Sequence, residues 1–277
     1  MQSIYFVDSN FTYESSKKSI LSIRYATDGF SFCVHDETEK LVVFVHEPYA
    51  ADSREAAVAR LKNYVVNDAI LNLRFKKVYI MPCFKEKLLV PGAFFDKANI
   101  TTLYTVNQEV SPDDTILYHH IEAYLVETVI SSFHDFVREH FPVFQIVNGA
   151  YPFILGAIGK ALRDTEQIFL DIQDNYFDLL FIRDSGIQLF NTFSYQATTD
   201  IVYFLLNCIK ECGINQEKAH LSICGPALKD NKLKELLSLY LPNPYFAKEP
   251  LLNGILHDKE FNSSHFIHLL NLHRCGL

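Results

Sequence analysis

Apolar runs broken by turn-forming residues recur in the same order in the two halves of the chain. Residues 21–26, 30–35 and 41–46 are three such runs, and Asp28-Gly29 between the first two is a two-residue hairpin signal, since both residue types accept the positive φ that a tight turn needs. The pattern predicts three consecutive antiparallel strands. Ser53 then opens a helix in which Val58, Leu61, Val65 and Ala69 recur at i, i+3, i+7 and i+11, one face of a 3.6-residue period. Residues 78–81, closed by Pro82, predict a short buried strand. A helix over 131–140, a strand over 144–147 and a helix over 151–162 complete this half, and residues 4–7 precede it as an edge strand or a docked leader.

The second half repeats the series. Residues 169–172, 176–182 and 187–191 predict two hairpins in succession, with Gln173, Asp174 and Asn175 in the first turn and Arg183, Asp184, Ser185 and Gly186 in the second. A helix over 199–212 follows, with Ile201, Leu205, Cys208 and Cys212 on one face. Then come a strand over 221–224, a helix over 233–239, a strand over 245–247 and a helix over 262–272. Strand, strand, strand, helix, strand, helix, strand, helix, made twice, is an internal duplication. It divides the chain into lobes 1–163 and 164–277, with the polar link Arg163, Asp164, Thr165 and Glu166 at the junction. Residues 83–127 have no counterpart in the second half. Their alternating runs, 117–126 among them, predict an inserted β-rich subdomain.

This duplicated unit resembles the ribonuclease H-like fold as doubled in the actin-like ATPase superfamily, an α/β fold of two lobes with mixed five-stranded sheets. Within it the chain is similar to the pilus-assembly branch and to a family of uncharacterised bacterial proteins. The resemblance implies a nucleotide cleft between the lobes. In the superfamily the first hairpin carries Asp-x-Gly-Thr, whose amides cradle phosphate and whose carboxylate organises a metal; here Arg24, Ala26 and Thr27 stand in those places, with Ser31 nearby. A cation has replaced the carboxylate, and Arg24 is expected to pair with a phosphate or with Asp171. The second hairpin of the superfamily is Asp followed by a glycine-rich turn. Asp171 is kept, but Gln173, Asp174, Asn175 and Tyr176 fill the turn where only glycine allows close approach to phosphate. The adenosine-side Gly-Gly turn is reduced to Gly225 between Cys224 and Pro226.

Thr27, Asp171 and Gly225 are therefore the expected remnants of the nucleotide cleft, with no catalytic residue and no metal ligand assigned. The implied function is a non-catalytic binding or assembly protein with a protein partner and no cofactor. The alternative is a divergent ATPase or kinase that binds ATP and Mg²⁺.

Charge removes other classes. With 25 Lys and Arg against 33 Asp and Glu, the net charge of −8 opposes a nucleic-acid surface, which needs clustered cations to replace counterions. No apolar run reaches the roughly 18–20 residues of a membrane span, and the expected compartment is the cytoplasm. Six cysteines, at 33, 83, 208, 212, 224 and 275, lie mostly in apolar runs and are expected as buried thiols rather than disulfides. His265, His268, His273 and Cys275 have ligand chemistry, but the leucines among them predict an amphipathic terminal helix. No nucleophile-elbow, zinc-protease or Walker motif occurs.

Overall fold

A computed structural model of the chain describes residues 3–225, 231–241, 244–246 and 263–275. In chain order the elements begin with β1 (Ile4–Val7), α1 (Tyr13–Ser16), β2 (Ile20–Ala26), β3 (Gly29–His35), β4 (Leu41–Pro48), α2 (Arg54–Asn67) and β5 (Lys77–Pro82). They continue with β6 (Lys87–Pro91), α3 (Ile100–Thr105), β7 (Asp114–Ile121), β8 (Ala123–Ile130), α4 (Ser131–His140), β9 (Phe144–Ile146) and α5 (Tyr151–Ile158). The second series is β10 (Glu166–Ile172), β11 (Tyr176–Arg183), β12 (Gly186–Ser194), α6 (Thr198–Glu211), β13 (His220–Cys224), α7 (Asn231–Tyr240), β14 (Tyr245–Phe246) and α8 (Ile267–Asn271). Two compact units result: Met1–Tyr151 with Leu269–Leu277, and Pro152–His268.

The main sheet of the first unit runs β1-β4-β3-β2-β5-β9. Strands β2, β3 and β4 pair antiparallel, whereas β5 joins β2 and β9 joins β5 in parallel. The expected five strands gain a sixth because β1 pairs antiparallel with β4, Ile4 opposite His46 and Val7 opposite Val43. Leu21, Ile23, Phe30 and Phe32 are fully buried in the core of this sheet. Ser53 caps α2 as its sequence position implies, accepting from the Ala56 amide at 3.2 Å. The helix buries Ala57, Val58, Leu61 and Val65 and ends at Asp68, so Ala69 lies beyond it.

The inserted segment folds as an antiparallel sheet, β6-β8-β7, with α3 packed on it around Val90, Ile100, Tyr104 and Val126. The apolar run 117–126 is not one strand. Glu122, at φ 51°, turns it into the β7–β8 hairpin, a left-handed position that a glutamate does not advertise. Arg54 ties α2 to the insertion: Nη2 donates to Asp114 Oδ1 at 2.6 Å and Nη1 to Thr128 Oγ1 at 2.8 Å.

The sheet of the second unit runs β12-β11-β10-β13-β14, again three antiparallel strands followed by two parallel ones. Its core gathers Ile168, Leu170, Ile172, Phe177, Leu179, Phe181, Leu221 and Ile223 from the strands. Helix α6 adds Ile201, Val202, Leu205 and Ile209. Cys208 and Cys212 pack against this core as the stripe expected from the sequence has them, but are only half-buried, and Cys212 caps the helix end. The terminal helix expected over 262–272 is, from Ser263 onward, a 3₁₀ turn, α8 and a further 3₁₀ turn; Asn262, and Ala247 of the expected strand, lie outside the described residues.

In the first unit two strand histidines are buried. The His35 ring stacks on His273 with centroids 3.7 Å apart, and His46 Nδ1 lies 2.8 Å from Ser31 Oγ. Burial, then the nearby His273 and Arg274, brings His35 down to about 3; burial, then Arg24, brings His46 down to about 4. An unfolded histidine titrates near 6.5, so below that pH the unfolded chain takes up protons that the folded chain refuses. The stabilisation is present above pH 6.5 and lost as pH falls toward the folded values. Between pH 7 and pH 5 each ring should cost about 2 kcal/mol. Urea unfolding at the two pH values checks this: His35→Phe and His46→Asn should each narrow the difference by about that amount.

Candidate functional site

The residues with the most unusual chemistry in the second unit lie in one row across the sheet. Asp171 of β10 pairs with Asp178 of β11 and, in parallel register, with Cys224 of β13; Thr192 of β12 pairs with Asp178. Laterally paired residues share a face, so Thr192, Asp178, Asp171 and Cys224 project together, opposite the core residues Leu170, Leu179 and Ile223. Both carboxylates are buried, Asp171 at 3% exposure and Asp178 at 1%. Thr192 Oγ1 donates to Asp178 Oδ1 at 2.6 Å, and Gln173 Nε2 donates to Asp171 Oδ2 at 2.8 Å.

The turn after Asp171 is closed upon itself. The Gln173 amide donates to the Tyr176 carbonyl at 2.9 Å, the Tyr195 amide to the Asn175 carbonyl at 3.1 Å, and the Tyr195 hydroxyl to the Gln173 carbonyl at 2.6 Å. Asp174 and Asn175 are exposed at its tip. A phosphate loop works by presenting uncommitted amides to an anion. Here the Gln173 amide is spent on the turn, and Gln173 fills the space beside the carboxylate with its own side chain.

Gly225, at φ 113°, sits directly against β10. A Cβ there would lie 2.7 Å from Asp171 Oδ1 and would strike the backbone of Ile172. The glycine is thus demanded by the contact with its own sheet. Pro226, which follows it, lies outside the described residues.

Sequence reasoning did not anticipate two further members of this site. His268 Nε2 lies 3.4 Å from Asp171 Oδ1 and 3.4 Å from Cys224 Sγ, and Sγ is 3.7 Å from the same carboxylate oxygen. The histidine also packs edge-on against Phe153. Burial, followed by the charge of Asp171, pushes the Cys224 thiol well above its ordinary value, so the free thiol is a poor nucleophile. These three residues are 44 and 53 positions apart in sequence, and no spacing motif could have joined them. The C-terminal set is divided accordingly: His268 joins Asp171 and Cys224, while His273 stacks on His35.

In the first unit the corresponding hairpin carries Arg24, 5% exposed, whose two terminal nitrogens meet the two carboxylate oxygens of Asp28 at 3.1 and 3.3 Å. The β2–β3 turn consists of Thr27 and Asp28, and its carbonyls are occupied: Thr27 accepts from the Ala51 amide at 2.8 Å and Asp28 from the Tyr49 amide at 3.2 Å. Gly29, at φ 151°, lies against β4, where a Cβ would come within 2.8 Å of the Glu47 carbonyl. Of the three residues expected at a remnant nucleotide site, Asp171 and Gly225 come together in the second unit and Thr27 occupies this turn of the first.

Three antiparallel strands continued by two parallel ones, built twice with helices between, define the actin-like ATPase fold. A solved protein from Bacteroides thetaiotaomicron VPI-5482, described as having this fold and unknown function, is 22% identical; the match covers 94% of this chain and 98% of that chain at a TM-score of 0.79. The PilM–PilN complex of type IV pilus biogenesis matches at 12% identity, covering 92% of this chain and 98% of that chain, with a TM-score of 0.58. The chain belongs to the family described as Protein of unknown function (DUF3822), whose model matches residues 8–243. No protein of curated function matches it.

The close approach of Gly225 gives a direct test of what the glycine is for. Gly225→Ala must displace β13 from β10, and should destabilise the protein by on the order of 2–4 kcal/mol in urea unfolding. A change below about 0.5 kcal/mol, the size expected at an ordinary surface site, would show that the contact is dispensable.

Proposed function

We propose that the protein is a non-catalytic, actin-like binding or assembly protein in which Thr27, Asp171 and Gly225 are remnants of a nucleotide site. The observation that carries this reading is the closed turn after Asp171: its first amide and carbonyl are committed internally, so it offers an anion little of the amide cradle that phosphate needs. The first hairpin supports the reading from the other side, because Arg24 replaces the metal-organising carboxylate and is held by Asp28. Lobes 1–163 and 164–277 are the two copies of the ancestral unit in this account. The compact units divide differently, since residues 269–277 pack with the first and 152–163 with the second.

A protein partner is part of the same proposal. The PilM neighbour was solved in complex with PilN, which supports protein binding by this fold. The inserted subdomain supplies a candidate surface, with Phe94 74% and Val106 77% exposed. No helix among the described residues is long and apolar enough to cross a membrane, and a cytoplasmic site of action is proposed. With its acidic charge, the reading includes no nucleic-acid partner.

The retained buried carboxylate, Asp171, favours the second reading, a divergent nucleotide-binding ATPase or kinase. Phosphate release from ATP with Mg²⁺ separates the two. The expected outcome is no turnover above background and no difference between wild type and Asp171→Ala; turnover lost on Asp171→Ala would establish the ATPase. A partner recovered by cross-linking to the wild-type protein should be lost, by about tenfold or more in affinity, in Phe94→Glu/Val106→Glu, as expected when charges enter an apolar contact. Undiminished binding would place the partner surface elsewhere.

A further inference from the structure

We propose that Asp171, Cys224 and His268 are the protein ligands of a zinc-class transition-metal site. The inference rests on the convergence of three donor atoms on one point, Asp171 Oδ1, Cys224 Sγ and His268 Nε2, each pair 3.4–3.7 Å apart. Zinc bound to oxygen, sulfur and nitrogen at its ordinary bond lengths in a tetrahedron has donor–donor edges of about 3.3–3.7 Å. The three separations agree with the corresponding edges within about 0.2 Å.

A catalytic nucleophile–histidine–carboxylate relay does not account for the same geometry. In a nucleophile–histidine–carboxylate relay the carboxylate holds one ring nitrogen and the nucleophile meets the other. Here thiol and carboxylate face a single Nε2, which can offer either one proton or one lone pair. The carboxylate contact of 3.4 Å also exceeds the roughly 2.7–3.2 Å of good N–H···O bonds. A cation at the centre satisfies all three donors at once.

Charge and softness point to the class of metal. A thiolate and an imidazole select zinc or a similar transition ion over Mg²⁺ or Ca²⁺, which prefer oxygen alone. When the metal binds, the Sγ–H bond breaks, its proton passes to solvent and the sulfur lone pair bonds the metal. One carboxylate and one thiolate then cancel a dication, leaving a neutral centre among buried residues. Gln173 acts as an outer-sphere residue: its bond to Asp171 Oδ2 orients the carboxylate so that Oδ1 faces Cys224 and His268. Among the described residues three donors converge, which leaves a fourth tetrahedral position for water or another group.

The inference is independent of the assembly reading, since metal binding is measured without nucleotide or partner. Full-length protein is stripped with a chelator and titrated with Co²⁺ alone, then with Zn²⁺ in competition. The expected result is one Co²⁺ per chain with a sulfur-to-cobalt charge-transfer absorption that Zn²⁺ abolishes. Cys224→Ser should lose the charge-transfer band and His268→Gln should lower affinity by more than about tenfold, while Gln173→Ala weakens binding by about 10–100-fold. Folded wild-type protein that binds no stoichiometric Co²⁺ or Zn²⁺ would overturn the proposal, whatever the variants do. So would binding that is unchanged in Cys224→Ser and His268→Gln.

Discussion

The parallel pairing of β10 with β13 governs the chemistry available in the second unit. It sets Asp171 beside Cys224 and presses Gly225 against Ile172 with no room for a Cβ. That approach has two consequences. It buries a carboxylate and a thiol together, where neither is well solvated, and it makes the glycine a requirement of the sheet whether or not a ligand ever binds. A glycine at this place therefore cannot by itself be taken as the trace of an adenosine site. The same residue answers to strand packing.

What the sequence revealed and what it concealed follow from the range of the interactions involved. The hairpins of β2–β3, β10–β11 and β11–β12 were legible because apolar runs and turn residues encode them locally, and the repeated element order carried the fold class. Ser53 marked the start of α2 because an N-cap is a local hydrogen bond. Glu122 left no such mark: its left-handed turn depends on the pairing of β7 with β8, so an alternating run concealed a hairpin. Cys208 and Cys212 met the helical period and pack against the core, with Val202 and Ile209 buried beside that stripe. The site was legible only in part. Asp171 and Gly225 stood out through resemblance, whereas Cys224 and His268 joined them only through the tertiary fold.

The two halves solve one electrostatic problem in different ways. Each carries a charged side chain within two residues of the end of its first strand, Arg24 at 5% and Asp171 at 3% exposure, where an uncompensated charge would cost several kcal/mol, on the order of the penalty for an unpaired buried ion. In the first unit the compensation is local. Asp28, four residues away and partly open to solvent, takes both terminal nitrogens of Arg24, and the nearby His46 stays neutral. A cation so held leaves little reason for that hairpin to recruit a divalent metal of its own.

In the Asp171 hairpin the next residues of the turn bring the Gln173 amide and the exposed carboxylate of Asp174. A second buried carboxylate, Asp178, lies directly across the strand pair and adds negative potential to the first. Hydrogen bonds from Gln173 and Thr192 each satisfy one lone pair but supply no charge. His268 Nε2 and Cys224 Sγ both lie close to Asp171 Oδ1. A metal bound there takes the place of the thiol proton and lets all three atoms act as ligands. The donors of this row, a carboxylate, a thiol and an imidazole, are better matched to a soft cation than to a phosphate-bound magnesium.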